Sequence, residues 1–238
     1  MPISSRFPPV THCIFDNDGT LMDTEKLYSQ AVEMTVLPYN KKYTFELKLR
    51  CMGLPAMEVS KLIVNELKLP ITPEQFLQEN SANTRRVLDH TRLMPGAEQL
   101  VLHLHNHQIP MAIATSSARR SFAIKARPHL ELLSCFSHIV YGCDPELEHG
   151  KPAPDIFLLA ASRFNCSAQP ECCLVFEDSP NGVQGARAAG MQCVMTPDPR
   201  MPKEYTKCAT QVLPSLLDFV PEDFGLPPYD TCSLFQFG

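Results

Sequence analysis

Asp16 and Asp18 stand one residue apart at the end of an apolar run, Thr11-His12-Cys13-Ile14-Phe15, and Gly19-Thr20 follow them. Alternate side chains of an extended segment share a side, so both carboxylates lean toward one point as the strand leaves its sheet. Gly19 can take the turn with positive φ that a residue with a β-carbon resists. Two carboxylates this close do not stay equally ionised without a counter-cation; one pKa rises or a metal is recruited. The arrangement suggests a hard divalent cation, Mg2+ first. Asp-x-Asp-Gly also occurs in ordinary turns, where Asp caps backbone amides, and in metal sites of the sugar-nucleotide transferase kind. A calcium loop of EF-hand type is excluded: counted from Asp16, its Gly and Glu positions hold Leu21 and Leu27.

Further along the chain, other polar groups sit where apolar runs end. Thr115 and Ser116 close one run, Glu177 and Asp178 another, and Lys151 precedes Pro152 at a helix start. In an open parallel sheet, ligands bind beyond the carboxyl ends of the strands, near the point where the winding reverses. Four segments are thus aimed at one rim. One carboxylate of such a set can attack phosphorus, and a second carboxyl can protonate the leaving alcohol and later take a proton from water. Mg2+ offsets the repulsion between anionic nucleophile and anionic phosphate, while Lys151, Thr115 and backbone amides after it can hold the phosphoryl oxygens.

The elements that must position these groups are legible as an alternation. Val10 to Phe15, Ile109 to Ala114, His138 to Tyr141, Cys173 to Phe176 and Gln192 to Thr196 read as strands. Helical patterns follow Pro95-Gly96, Ser117, Pro154 and Pro180. The fold class is therefore α/β, a parallel sheet covered on both faces with right-handed crossovers. From Asp23 to about Arg92 the pattern is helical throughout, with about four helices and no convincing strand.

Length and composition set outer bounds. A chain of 238 residues with 44% hydrophobic content can bury one large core or a core with a modest insertion. A net charge of -5 argues against a nucleic-acid polymer as partner, while a local basic pocket still suits a small anionic substrate. No apolar run reaches membrane length, and residues 1–9 lack the features of a signal peptide, so the cytosol is the expected location. The ten cysteines include no Cys-x-x-Cys pair, and Cys13, Cys173 and Cys193 lie in apolar runs; they read as buried thiols.

Taken together, Asp16-x-Asp18-Gly-Thr, Thr115-Ser116, Lys151-Pro and Glu177-Asp178-Ser-x-x-Gly182 resemble the four motifs of the haloacid-dehalogenase superfamily of phosphatases. The resemblance runs from Thr11 to about Tyr229. It implies a Rossmann-like core of residues 1–22 and 93–238 with a helical cap, 23–92, inserted after the first strand. It also implies Asp16 as nucleophile, Asp18 as acid/base, and Thr115, Ser116 and Lys151 as phosphate ligands. Mg2+ would be held by Asp16, the backbone carbonyl of Asp18, and Asp178, with Glu177 a further or indirect ligand. The activity implied is Mg2+-dependent hydrolysis of a small nucleoside or sugar phosphate; separately from the resemblance, a monomer is expected. A phosphosugar mutase or a phosphate-binding regulatory module could share the fold.

Other residues carry two readings. His103 and His107 share a helix face expected to lie away from Leu100 and Leu104, at a solvated helix end. Arg50, Met52 and Gly53 could reach a nucleoside from the cap, or Arg50 could be a surface charge. Arg119 could meet substrate phosphate or only occupy its helix surface. Asn17 stands where most members of the family carry an apolar residue, and needs a hydrogen-bond partner inside the core. Cys143 stands in a loop where an acid is expected. Residues 231–238 read as a loose tail.

Overall fold

A computed structural model describes residues 5–51, 54 and 56–230; Met52, Gly53 and the 231–238 tail lie outside them. Six parallel strands form one sheet: β1 (His12–Phe15), β2 (Met111–Thr115), β3 (His138–Tyr141), β4 (Cys173–Glu177), β5 (Gln192–Met195) and β6 (Gln211–Val212). Their spatial order is β3-β2-β1-β4-β5-β6. The chain winds outward from β1 through β2 to β3, then crosses back to lay β4 on the other side of β1. The winding therefore reverses at β1 and β4, where such sheets open a crevice.

The pleat divides the core. Cys13, Phe15, Ile113, Leu174 and Phe176 point to one face, where Leu100, Val101 and Leu104 of α5 (Ala97–Asn106) meet them, with Phe219 and Phe224. Ile14, Ala112, Ala114, Val175 and Cys193 point to the other, against α8 (Asp155–Ser162) and α9 (Pro180–Ala188). Burial on both faces is why these strands read as apolar runs rather than as alternations. β6 has only two residues, half-buried Gln211 and exposed Val212 at the sheet edge, too few to show a period, and was not foreseen.

Among the described residues, four α-helices fill the stretch after β1: α1 (Glu25–Val36), α2 (Phe45–Cys51), α3 (Ala56–Leu67) and α4 (Pro73–Leu88). They bury a cluster of their own, including Val32, Val36, Leu47, Ile63, Val64 and Phe76. α4 begins with a capping box: Thr72 Oγ1 accepts from Gln75 N at 3.3 Å, Gln75 Oε1 accepts from Thr72 N at 2.9 Å, and Pro73 is the first helical residue.

Three expectations are corrected here. His103 is buried, its Nε2 2.9 Å from the Pro227 carbonyl oxygen and its ring 4.5 Å from that of Tyr229. Positions 100, 103 and 104 form one helical stripe, and the chain after β6 covers it. Cysteines are only partly buried: Cys13, Cys51, Cys173 and Cys193 are inside, whereas Cys143, Cys166 and Cys208 are exposed. Asn17 is fully buried, yet among the described residues neither side-chain polar atom has a hydrogen-bond partner.

Candidate active site

The site lies at the carboxyl ends of β1, β2 and β4. Asp16 N donates to the Phe176 carbonyl at 2.9 Å, which carries the β1–β4 ladder one residue past the strand and sets Asp16 beside Glu177 and Asp178. Gly19 then turns at φ +84°, and a Cβ there would overlap the Asp178 carboxylate. Close approach thus requires glycine twice over, for conformation and for room.

Lys151 reaches in from the loop after β3. Its Nζ donates to Asp16 Oδ1 and Glu177 Oε1, both at 2.6 Å, and to the Ala114 carbonyl at 3.0 Å. The other oxygen of Glu177 accepts from the backbone N–H groups of Asp178 and Ser179 and from Ser179 Oγ, each at 3.0 Å. Ser179 also caps α9, accepting from Gly182 N at 3.1 Å, with Pro180 following as the first helical residue. A Cβ on Gly182 would overlap the Glu177 carboxylate. The local sequence Glu-Asp-Ser-Pro-Asn-Gly is therefore one device: it fixes Glu177 on Lys151 and leaves Asp178 pointing at Asp16.

Asp18 faces a different set of donors. Thr24 Oγ1 donates to it at 2.6 Å, Ser117 Oγ at 2.9 Å and Thr115 Oγ1 at 3.4 Å, and the ammonium of Lys125 lies against both carboxylate oxygens. Lys125 belongs to α6 (Arg119–Ala126) and is fully buried. Sequence reasoning missed it. The available signal was its place on the stripe Phe122, Lys125, Ala126, where a lysine interrupts an otherwise apolar spacing.

These surroundings push the two aspartates apart. Burial raises Asp16 to about 7; Lys151 opposes this, and Glu177 and Asp18 add to it. Asp178 is raised well above the usual carboxylate range by burial, then by Glu177, Glu25 and Asp16. Burial would raise Asp18 as well, but the charge and hydrogen bonds of Lys125, with Thr24 and Ser117, outweigh it and hold Asp18 low. Burial works against the charge on Lys151, yet Asp16 and Glu177 prevail and raise its pKa. Without a cation, then, Asp18 is the more acidic of the pair, the reverse of what an ionised nucleophile beside a protonated acid requires.

A hard cation fits the residues that cause this. Asp16, Glu177 and Asp178 are buried and can bring one carboxylate oxygen each within 4.8 Å of one another. Glu177 is committed to Lys151 and to the turn. Asp16 and Asp178, both raised by burial first and by neighbouring carboxylates after it, form the oxygen-donor pair that Mg2+ prefers, and a cation between them would restore Asp16 to its ionised form.

A cavity of about 790 Å³ opens above these groups. Asp16, Asp18, Ser116, Lys151 and Asp178 line its floor, and Tyr28, Tyr43, Lys48 and Asn80 its helical side. Of the residues anticipated from sequence, Asp16, Asp18, Ser116, Lys151, Glu177 and Asp178 come together. Thr115 is fully buried and turned to Asp18 and Ser117 N rather than into the cavity. Arg50 pairs with Glu66 at 2.9 Å in an exposed ion pair, and exposed Arg119 lies over the Tyr141 ring at 4.9 Å.

A parallel α/β sheet with two aspartates after its first strand and a buried Lys-Glu-Asp cluster opposite them defines a class. The haloacid dehalogenase-like hydrolase profile matches residues 10–190, and the chain belongs to that family. It is a phosphatase of that family. Among its relatives is a probable pseudouridine-5'-phosphatase of Drosophila melanogaster, 51% identical over 92% of this chain and 96% of that one. (DL)-glycerol-3-phosphatase 2 of Arabidopsis thaliana is 43% identical over 93% of each chain. A solved HAD family hydrolase of Deinococcus radiodurans, with bound phosphate and sodium, shares the fold at a TM-score of 0.75 and 23% identity, covering 93% of this chain and 100% of that one. Among the described residues, no helix is long and apolar enough to cross a membrane.

Proposed function

We propose that this chain is a Mg2+-dependent phosphomonoesterase that hydrolyses pseudouridine 5'-phosphate to pseudouridine and phosphate. Residues 1–22 and 93–238 are the catalytic core, and 23–92 are a cap that closes over substrate and excludes water. The observation that carries the reading is the meeting of Asp16, Lys151, Glu177 and Asp178 beneath one cavity, in a chain 51% identical to a probable pseudouridine-5'-phosphatase.

Asp16 attacks phosphorus and the ester P–O bond breaks, leaving an aspartyl phosphate and an alcohol that takes its proton from Asp18. Asp18, now a carboxylate, takes a proton from water as that water attacks the same phosphorus; Asp16 leaves and inorganic phosphate forms. Lys151 and Ser116 hold phosphoryl oxygens throughout, and Thr115 supports the loop through Ser117 N. Asp16, the backbone carbonyl of Asp18, and Asp178 would hold Mg2+, which would supply charge neutralisation. Glu177 holds Lys151 in place.

Tyr28, Tyr43, Lys48 and Asn80 give the cap side a mixed aromatic and polar wall that suits a nucleobase bearing amide groups. Glycerol 3-phosphate is the second reading, favoured by the 43% identical glycerol-3-phosphatase. A phosphate-release screen over phosphomonoesters, with and without Mg2+, tests both. The expected order is pseudouridine 5'-phosphate well above glycerol 3-phosphate, with no release after chelation; the reverse order moves the chain to the second reading.

A further inference from the structure

Lys125 is a buried ammonium to which the two-step reading above gives no role. It is fully inaccessible, and the 790 Å³ cavity is lined by its neighbours Ser117, Ser121 and Ile124 but not by Lys125 itself. Its Nζ donates to both oxygens of Asp18, to Ser117 Oγ at 2.8 Å and to Tyr28 Oη at 3.4 Å. Asp18 is the one carboxylate with which it forms an ion pair among the described residues. A lysine is retained in an interior only where its charge is paired and its donors used, because burying it otherwise is costly. Here the pairing is with the group proposed to move protons.

The geometry around Asp18 is made of donors. Lys125, Thr24 and Ser117 each direct a hydrogen toward it, and Thr115 does so at longer range. A carboxylate in such a cradle has its two oxygens fixed in place and both accepting. That is the arrangement needed when Asp18 takes a proton from the water attacking the phosphoenzyme. We propose that Lys125 is the positioning residue for Asp18, acting from beneath the cavity to hold its carboxylate in line for hydrolysis of the aspartyl phosphate. This rests on the two-step reading above and adds a residue to it.

The two steps can be separated by leaving group. 2,4-Dinitrophenolate departs without a proton, so the first step on 2,4-dinitrophenyl phosphate does not need Asp18, whereas the second step does. Lys125→Met is expected to release one equivalent of dinitrophenolate at nearly the parental rate, then to turn over about a hundredfold more slowly. Lys125→Arg, which keeps the charge, is expected to recover the steady rate to within about tenfold. Asp18→Asn is the reference and should show the same burst. Should Lys125→Met fail to fold, Lys125→Gln carries the same test, keeping a donor without the charge. A parental steady rate in the neutral variant, or equal loss of burst and steady rate in a folded one, overturns the role of Lys125. An Asp18→Asn variant with neither burst nor slowed turnover would instead remove the acid/base reading on which the inference rests.

Discussion

Lys151 Nζ lies 2.6 Å from Asp16 Oδ1, and both side chains are almost wholly withdrawn from solvent, 6% and 9% exposed. The pair joins the loop after β3 to the end of β1 at the floor of the site. Lys151→Met would leave Asp16 and Glu177 as buried carboxylates with no counter-charge. Breaking a buried pair of this kind costs about 3–5 kcal/mol. Loss of the charge proposed to hold the phosphoryl oxygens is expected to lower kcat by about 100- to 1000-fold. Urea unfolding and steady-state kinetics on one preparation check the two together, and a stable, active variant would separate Lys151 from the site.

Asp16 should make the metal-free protein less stable as pH rises. A carboxyl whose folded pKa exceeds its unfolded value binds more protons when folded, so its contribution falls as pH climbs from about 4 towards about 7. Asp178 acts in the same direction, and Asp18, held low, in the opposite one. In chelator, Asp16→Asn is therefore expected to match the parent near pH 4 and to exceed its melting temperature at pH 7. Mg2+ should raise the parent more than the variant. Thermal unfolding at several pH values reads both differences; a variant less stable at pH 7 would contradict the upward shift assigned to burial and crowding of Asp16.

Gly182→Ala tests the turn that holds Glu177. Alanine favours the helix, so a loss cannot come from helix propensity. The added methyl overlaps the Glu177 carboxylate and must displace it from Lys151 and from the Asp178 and Ser179 amides. Misplacement on the scale of an ångström costs about a hundredfold in rate. The expected result is that fall in kcat with a helical signal like the parent's, read by kinetics and circular dichroism.

Asn17→Leu should stabilise the chain. Both polar atoms of Asn17 are buried without partners among the described residues, and each such group costs about 1–3 kcal/mol. A leucine of similar shape removes that penalty and adds apolar burial. Denaturant unfolding is expected to show a higher midpoint with an unchanged slope; a lower midpoint would show that the pocket needs an amide.

Much of this was legible before any coordinates because it depends on local rules. Continuous apolar runs ending in carboxylates mark buried parallel strands, and the rim where Asp16, Lys151, Glu177 and Asp178 meet follows from the winding of such a sheet. What was missed depends on contacts between distant segments. His103 is buried only because Pro227 and Tyr229, more than 120 positions later, lie over α5. Lys125 is a site residue only because α6 turns it beneath Asp18, 107 positions earlier. Thr115 was placed correctly at a strand end, but the direction of its hydroxyl is set by Asp18 and the Ser117 amide.

The central claim is that Asp16 carries the phosphoryl group between ester and water. Asp18→Asn with p-nitrophenyl phosphate forms the phosphoenzyme on a good leaving group and slows its hydrolysis, so a quench in acid during the burst should trap it. Borohydride then reduces an aspartyl phosphate to homoserine, which peptide mass spectrometry locates. The account predicts homoserine at position 16, in an amount equal to the burst of nitrophenol. A full burst with Asp16 unmodified, or with the mark on another residue, would contradict it.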